Sequence, residues 1–258
     1  MLIILPPSET KRPPPDEGPR LDLDRLSFPE LTPTRQRVME ALLATSRRPD
    51  ALRRLQVKPS LVGEVARNER LGEMPTRRAV DTYAGPLYDG LDPSSWSGET
   101  DARAADRVVI VSALWGALRP ADPIPPYRLH VCARLVGLDR LEPMWRTVVG
   151  PALTDAAQRR GPILDLRSPV YRAVGRPDGL DELTATLRIR PAPGGPAHIG
   201  DVIAKRVRGE AARELLTTDA DPEEPLDIAD LLARRWSLEV DSPVGRKPSW
   251  TITLQSEE

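Results

Sequence analysis

Cysteine is nearly absent from this sequence. Cys132 is the one thiol among 258 residues, which excludes an internal disulfide framework and any zinc site built from several thiolates. Histidine is almost as scarce, with His130 and His198 alone, so a metal centre or a cysteine triad has little to be built from. No apolar run approaches the roughly 20 residues needed to cross a bilayer. The opening Met1-Leu2-Ile3-Ile4-Leu5 lacks a basic leader region and is cut off by Pro6-Pro7, so it reads as a first strand and the expected location is the cytoplasm. No Walker loop, Rossmann fingerprint or zinc-protease helix is present, and no cofactor or metal is expected. A large charge excess is missing too. With 37 basic and 38 acidic side chains the formal net charge is -1, so any contact with a polyanion must come from a local basic surface.

What is there suits a packed globular chain: 40% hydrophobic and 29% charged residues, with 29 prolines as punctuation. Leu2 to Leu5 is a short apolar run that suits a strand buried on both faces. Residues 12 to 31 read as an irregular loop, and Thr32-Pro33 opens a helix carrying Val38, Leu42 and Thr45 at helical spacing. Residues 50 to 83 suggest short helices broken at Pro59 and Pro75. Val108-Val109-Ile110-Val111 predicts a central strand, residues 142 to 160 an amphipathic helix closed by Gly161, and Ile163 to Leu166 another core strand. Further strands are expected at 184 to 189, around 237 to 240 and at 250 to 254, the last two joined by a turn containing Gly245. Helices are expected at 201 to 217 and 226 to 235. No internal repeat or low-complexity linker appears, so one α/β domain over residues 1 to 258 is the simplest organisation.

Polar chemistry concentrates in four segments that each follow or interrupt an apolar stretch, an arrangement that places sites at the carboxyl ends of strands. In Pro7-Ser8-Glu9-Thr10-Lys11, Ser8 and Lys11 suit a phosphate or carboxylate, and Glu9 suits proton transfer or a ligand hydroxyl; a solvated turn with a Glu9–Lys11 pair is the plainer alternative. Residues 111 to 128 offer Ser112, Arg119, Tyr127 and Arg128, stiffened by prolines, or else a structural loop in which Arg119 pairs with Asp122. In Leu164-Asp165-Leu166-Arg167-Ser168-Pro169-Val170-Tyr171, Asp165 interrupts an apolar strand and needs a partner. Arg167 is expected to turn away from it, leaving Asp165 to Lys205, Arg208 or another cation. Ser168 completes the anion-binding candidates here. In Ala204 to Gly209, Lys205 with Arg208, continued by Arg213, forms either a cationic stripe facing a ligand or a solvated face. His130 and Cys132 share a strand face in this reading, with Cys132 in the core. Glu9, Asp165 and Tyr171 are the candidate acid, base or orienting groups if the chain is an enzyme.

Taken together, LPPSETK from Leu5, YAGPLYDGL from Tyr83, VSALWGALRPADPIPPYRL from Val111, Met144-Trp145, LDLRSPVY from Leu164 and AKRVRG from Ala204 resemble the YaaA family over nearly the whole chain. The resemblance implies a compact α/β fold, a mixed central sheet flanked by helices, and a helix-hairpin-helix-like element beside a positively charged cleft. It also implies a cytosolic role in tolerating hydrogen peroxide, linked to limiting reactive iron and to binding double-stranded DNA, with Lys11, Arg119, Arg128, Lys205 and Arg208 lining the cleft. Leu61-Val62-Gly63 is the candidate hairpin glycine. The sequence departs from the family pattern at Thr10-Lys11, where the family has Gly-Lys, and at Val202-Ile203, where it has polar residues. A monomer is expected, and a nucleotide-like small anion is the alternative ligand to duplex DNA.

Overall fold

A computed structural model describes residues 1–195, 197–245 and 248–256. The apolar opening forms β1 (Leu2–Leu5), whose residues are buried on both faces as its unbroken hydrophobicity requires. Helices α1 (Thr32–Ser46), α2 (Ala51–Leu55) and α3 (Val62–Arg67) follow, then the two-residue strand β2 (Arg77–Arg78) and helices α4 (Ala79–Thr82), α5 (Pro86–Leu91) and α6 (Gly98–Arg107). Strand β3 (Val108–Ser112) turns back at once as β4 (Gly116–Leu118), and β5 (Pro123–Ile124) pairs with β2. Beyond lie α7 (Leu141–Gln158), β6 (Ile163–Asp165), α8 (Pro169–Arg172) and β7 (Thr184–Pro191). The chain ends with α9 (Asp201–Thr217), α10 (Pro225–Ala233), β8 (Leu238–Asp241) and β9 (Trp250–Ser256).

Among the described residues the main sheet has seven strands in the order β4-β3-β1-β6-β7-β9-β8. Strands β3, β1, β6, β7 and β9 run parallel, and the antiparallel β4 and β8 close the two edges. The mixed α/β architecture is therefore the one the strand pattern predicts, with element ends within a few residues of the sequence reading.

The strand order decides where a site can form. From β1 the next strand of the sheet lies on one side, at β3, whereas β6 lies on the other side and leads on to β7. The loops after β1 and β6 thus turn away from each other, and a crevice opens between their carboxyl ends, as at the switch point of any open α/β sheet.

Two helices roof that crevice by unusually close approach. On α5, a Cβ at Gly90 would lie 2.2 Å from the carbonyl oxygen of Arg206; on α9, a Cβ at Gly209 would lie 1.9 Å from that of Leu87. Only glycine lets the two backbones touch here, so α9 sits directly on α5. The hydroxyl of Tyr88 on α5 then donates to the carbonyl of Pro6 at 2.9 Å, fastening the helix pair to the loop after β1. Gly116 plays a related part across the sheet. It adopts a φ of +68° under the ring of Trp145, whose indole N–H donates to the Ala113 carbonyl at 2.8 Å.

Gly63, the sequence candidate for a hairpin glycine, lies inside α3 with nothing near the position of a Cβ. It is the second residue of that helix, just past the connection from α2.

Candidate functional site

The crevice between β1 and β6 contains a cavity of about 700 Å³, within the range of small-molecule sites. Its walls come from the loop Pro6–Thr10, the segment Asp165–Arg172, the outer part of β7, helix α5 and the first two turns of α9.

Asp165 ends β6 and is buried. Its partner is Arg167, contrary to the expectation that Arg167 turns away. Residues two apart in an extended chain share a face, and Arg167 folds back so that Nε meets Oδ1 at 2.9 Å and Nη2 meets Oδ2 at 2.8 Å. The same guanidinium donates to the carbonyls of Gly175 at 2.8 Å and Tyr171 at 3.3 Å. The pair is thus self-contained, and it sets the path of the chain into α8. Neither Lys205 nor Arg208 is needed to neutralise Asp165.

The far wall carries further cations, of which, among the described residues, only Lys205 has an ion-pair partner. Lys205 bonds Asp201 at 2.6 Å on its own helix. Arg208, three residues along the same face, donates only to the Ala204 carbonyl at 3.4 Å. Arg172, which the sequence reading passed over, faces the same space, and its Nε is buried without a partner. Among the described residues neither Arg172 nor Arg208 forms an ion pair. Burial lowers the pKa of both; Asp165 opposes this at Arg172 and Asp201 at Arg208, while Arg176 and Arg167 add to it at Arg172 and Arg172 adds to it at Arg208. Exposed Arg188 on β7 and Ser168 at the start of α8 complete this side.

On the β1 side stand Glu9, Tyr171 and His130. The Tyr171 hydroxyl donates to Glu9 Oε1 at 3.4 Å, and burial, reinforced by the Glu9 charge, raises its pKa well above that of a free phenol. Arg128 holds Glu9 from behind, with Nη1 3.0 Å from the Glu9 carbonyl and Nη2 3.6 Å from Oε2. His130 meets the Tyr171 ring edge-on at 5.9 Å, and its Nδ1 accepts the Cys132 N–H at 3.1 Å, which leaves the ring proton of the neutral form on Nε2. Cys132 itself is exposed. It follows a turn rather than a strand, so it does not join the core as the alternation suggested.

Lys11 lies beneath this wall. Its Nζ sits 4.1 Å from the centre of the Tyr127 ring and 5.7 Å from that of Tyr83, a cation–π seat. The Tyr127 hydroxyl bonds Tyr83 at 2.9 Å and Ser112 at 2.7 Å. Ser112 in turn accepts the N–H groups of Leu114 and Trp115, ending β3. Ser112 and Tyr127 are therefore structural members of a buried network and do not line the cavity. Burial drives the Lys11 pKa down to about 8, Arg128 adding to the effect against the opposing pull of Glu9 and Glu64. Because an unfolded lysine titrates near 10.4, the unfolded chain binds more protons between about pH 8 and 10, and stability rises with pH over that window. Lys11→Met is expected to be more stable than the parent near pH 7, on the order of 1 to 3 kcal/mol, with the difference closing toward pH 10. Denaturant melts of both chains across that range check it, and a constant difference refutes the assignment.

Arg128, like Lys11, Ser112 and Tyr127, is not in the cavity lining, and Arg119 and Arg213 lie farther away. Arg119 follows β4, which runs antiparallel to β3 and carries the chain back to the amino ends of the sheet. Its Nη1 donates to the carbonyls of Asp106 and Val108, each at 3.0 Å, its guanidinium stacks 5.4 Å from the Phe28 ring, and its N–H bonds Asp122 at 2.9 Å. The reversal of β4 was not legible in the small residues Gly116-Ala117. Arg213 points along α9 toward Asp92, 3.4 Å away, beside the α5 contact. Ser8 lines the crevice, its Oγ accepting the Thr10 N–H at 3.3 Å.

Among the described residues no group of three or more His, Cys, Asp or Glu side chains is placed to hold a metal ion, and no helix is long and apolar enough to cross a membrane.

Comparison with known proteins adds a setting. A family profile described as "Peroxide stress protein YaaA" matches residues 1–239. A UPF0246 protein of Streptomyces coelicolor is 35% identical over 258 residues, covering 98% of both chains. A UPF0246 protein of Corynebacterium efficiens is 37% identical over 256 residues, covering 98% of this chain and all of that one.

Proposed function

Since the chain belongs to the YaaA peroxide stress protein family, we propose that it acts in the cytoplasmic response to hydrogen peroxide, as a monomer, by binding a small organic anion in the β1–β6 crevice. The observation that carries this reading is the pair Arg172 and Arg208. Both face one recess and, among the described residues, neither makes a direct ion pair, Asp165 being held by Arg167 and Asp201 by Lys205, although Arg172 feels Asp165 and Arg208 feels Asp201 at longer range. Neighbouring guanidinium groups that lack a direct ion-pair partner in a recess attract an anion between them.

Duplex DNA is the competing ligand, and the shape of the site favours it less. DNA presents roughly one charge per 1.7 Å of helix axis and is met by an open basic surface. Here the cations are recessed and interleaved with Glu9, Asp165 and Asp201, acids that a phosphate backbone has no use for. Arg119, Arg213 and Lys11 also fall outside the cavity lining. Any limiting of iron-dependent damage would follow indirectly from the anion-linked activity.

Titration calorimetry with small phosphates and carboxylates, beside anisotropy with a short duplex at several salt concentrations, separates the two ligands. A small anion should bind the parent, and Arg172→Ala with Arg208→Ala should weaken it at least tenfold, about 1.4 kcal/mol. Tight duplex binding with a steep salt slope, together with no small-anion binding, reverses the assignment.

A further inference from the structure

The crevice holds two buried polar atoms of opposite kind that have no hydrogen-bond partner: the acceptor Glu9 Oε2 and the donor Arg172 Nε. Each has a charged neighbour that does not satisfy it. Arg128 reaches Oε2 only to 3.6 Å, too long for a hydrogen bond. Arg172 lies on the wall that the crevice shares with a second cavity of about 280 Å³, lined in part by Arg176, Asp181, Thr184 and Ser249 and by the Asp165 that Arg167 holds. Arg167, which already holds Asp165, adds to the positive charge around it.

Glu9 follows β1 and Arg172 follows the adjacent β6, while the hydroxyls of Thr186 and Thr251 come from β7 and β9 farther along the same edge. From β1 to β7 is two strand spacings, about 10 Å. An anion at the Glu9 end would be repelled by that carboxylate, so the negative group of a ligand is directed to the Arg172 and Arg208 end. The Glu9 end calls for a hydroxyl or amino donor. Two guanidiniums with the Ser168 and Thr251 hydroxyls on the same cavity wall suit a doubly charged, many-acceptor group, which is a phosphate monoester rather than a single carboxylate.

We propose that the crevice binds a phosphate monoester whose far end carries a hydroxyl or amino donor, a molecule of the sugar phosphate or nucleoside phosphate class: the phosphate lies at Arg172 and Arg208, and the donor reaches the Glu9 carboxylate. This rests on the small-anion reading above and adds the chemistry of the other end of the ligand.

Calorimetry on the full chain with inorganic phosphate, ethyl phosphate and ribose 5-phosphate tests it. Ribose 5-phosphate should bind at least tenfold more tightly than ethyl phosphate. Glu9→Ala should erase most of that advantage, read as the ratio of the two affinities in the same variant, and Glu9→Gln, which keeps the side-chain shape, guards against a folding defect. Equal affinity of the two esters for the parent overturns the inference and leaves the small-anion reading standing. An advantage that survives both Glu9 variants also overturns it. If none of the three probes binds the parent, the inference and the reading beneath it both fail.

Discussion

Gly209→Ala is expected to destabilise the fold by about 3 kcal/mol and to abolish ligand binding at the crevice. Two effects oppose each other. In a helix interior alanine is favoured over glycine by roughly 1 kcal/mol, which by itself would stabilise α9. A methyl group 1.9 Å from the Leu87 carbonyl oxygen and 2.7 Å from the Leu91 nitrogen has nowhere to go, because both obstacles are backbone. The helices must separate, and close-packed interiors give up that space only at a cost above the propensity gain. The functional loss follows from the same movement. Asp201, Lys205 and Arg208 sit on the α9 face that closes the cavity, and Pro86, Leu87 and Tyr88 on α5 form the adjoining wall. Gly90→Ala should behave alike, its Cβ meeting the Arg206 carbonyl at 2.2 Å. Gly63→Ala supplies the contrast, since it is helical with nothing within 4 Å; it should stabilise by up to about 1 kcal/mol. Urea melts of the three variants decide the matter, and a Gly209→Ala chain as stable as its parent would refute the close crossing.

Arg167→Met should cost a comparable amount, about 3 to 5 kcal/mol. Asp165 is only 4% exposed, and Arg167 supplies two side-chain hydrogen bonds and one backbone N–H to its carboxylate. Removing the guanidinium strands a charge in the interior and also frees the carbonyls of Tyr171 and Gly175. The expected signature is strong coupling. Asp165→Asn combined with Arg167→Met should be more stable than Arg167→Met alone, because the uncompensated charge is then gone. A double-mutant cycle measured by denaturant unfolding reads that coupling, and strictly additive losses would mean that the pair does not act as a unit. The pair's part in function is to position the chain: it fixes the turn that carries Ser168, Tyr171 and Arg172 into the crevice.

Much of the framework was legible in the residues. Leu2–Leu5, Val108–Ser112 and Ile163–Asp165 read as buried parallel strands because an element covered on both faces has no polar alternation to confuse the period. Helix α7 was legible from its apolar face and from Gly161, which takes a φ of +84° just past its end. Helix α6 was missed, although Ser97 accepts the Thr100 N–H and Glu99 and Asp101 stand in its first turn; that capping pattern was the available signal. Its buried face is Thr100, Ala104 and Arg107, so no large apolar residue marks the period.

The site was half legible. Glu9, Tyr171, Ser168, Lys205 and Arg208 are brought to one crevice, as the clustering of polar residues after strands suggested. Arg172, next to a residue already singled out, was missed because adjacent positions in a single-turn helix give no hint of which cavity each faces. Arg119 and Asp165 were misread for a common reason. The fate of a charge depends on its nearest partner in space, and the tight β3–β4 reversal and the fold-back of Arg167 are set by backbone geometry that residue types do not encode locally.

By itself the sequence determined the α/β class, the buried strands and the family, since these rest on local hydrophobic period and on motif order, which survive without coordinates. Only the tertiary structure decided which charges remain available to a ligand. Strand order placed the crevice between β1 and β6, two glycines drew α9 over it, and Arg167 removed Asp165 from the account. Charge compensation acts through space over a few ångströms, and proximity of that kind is created by the fold.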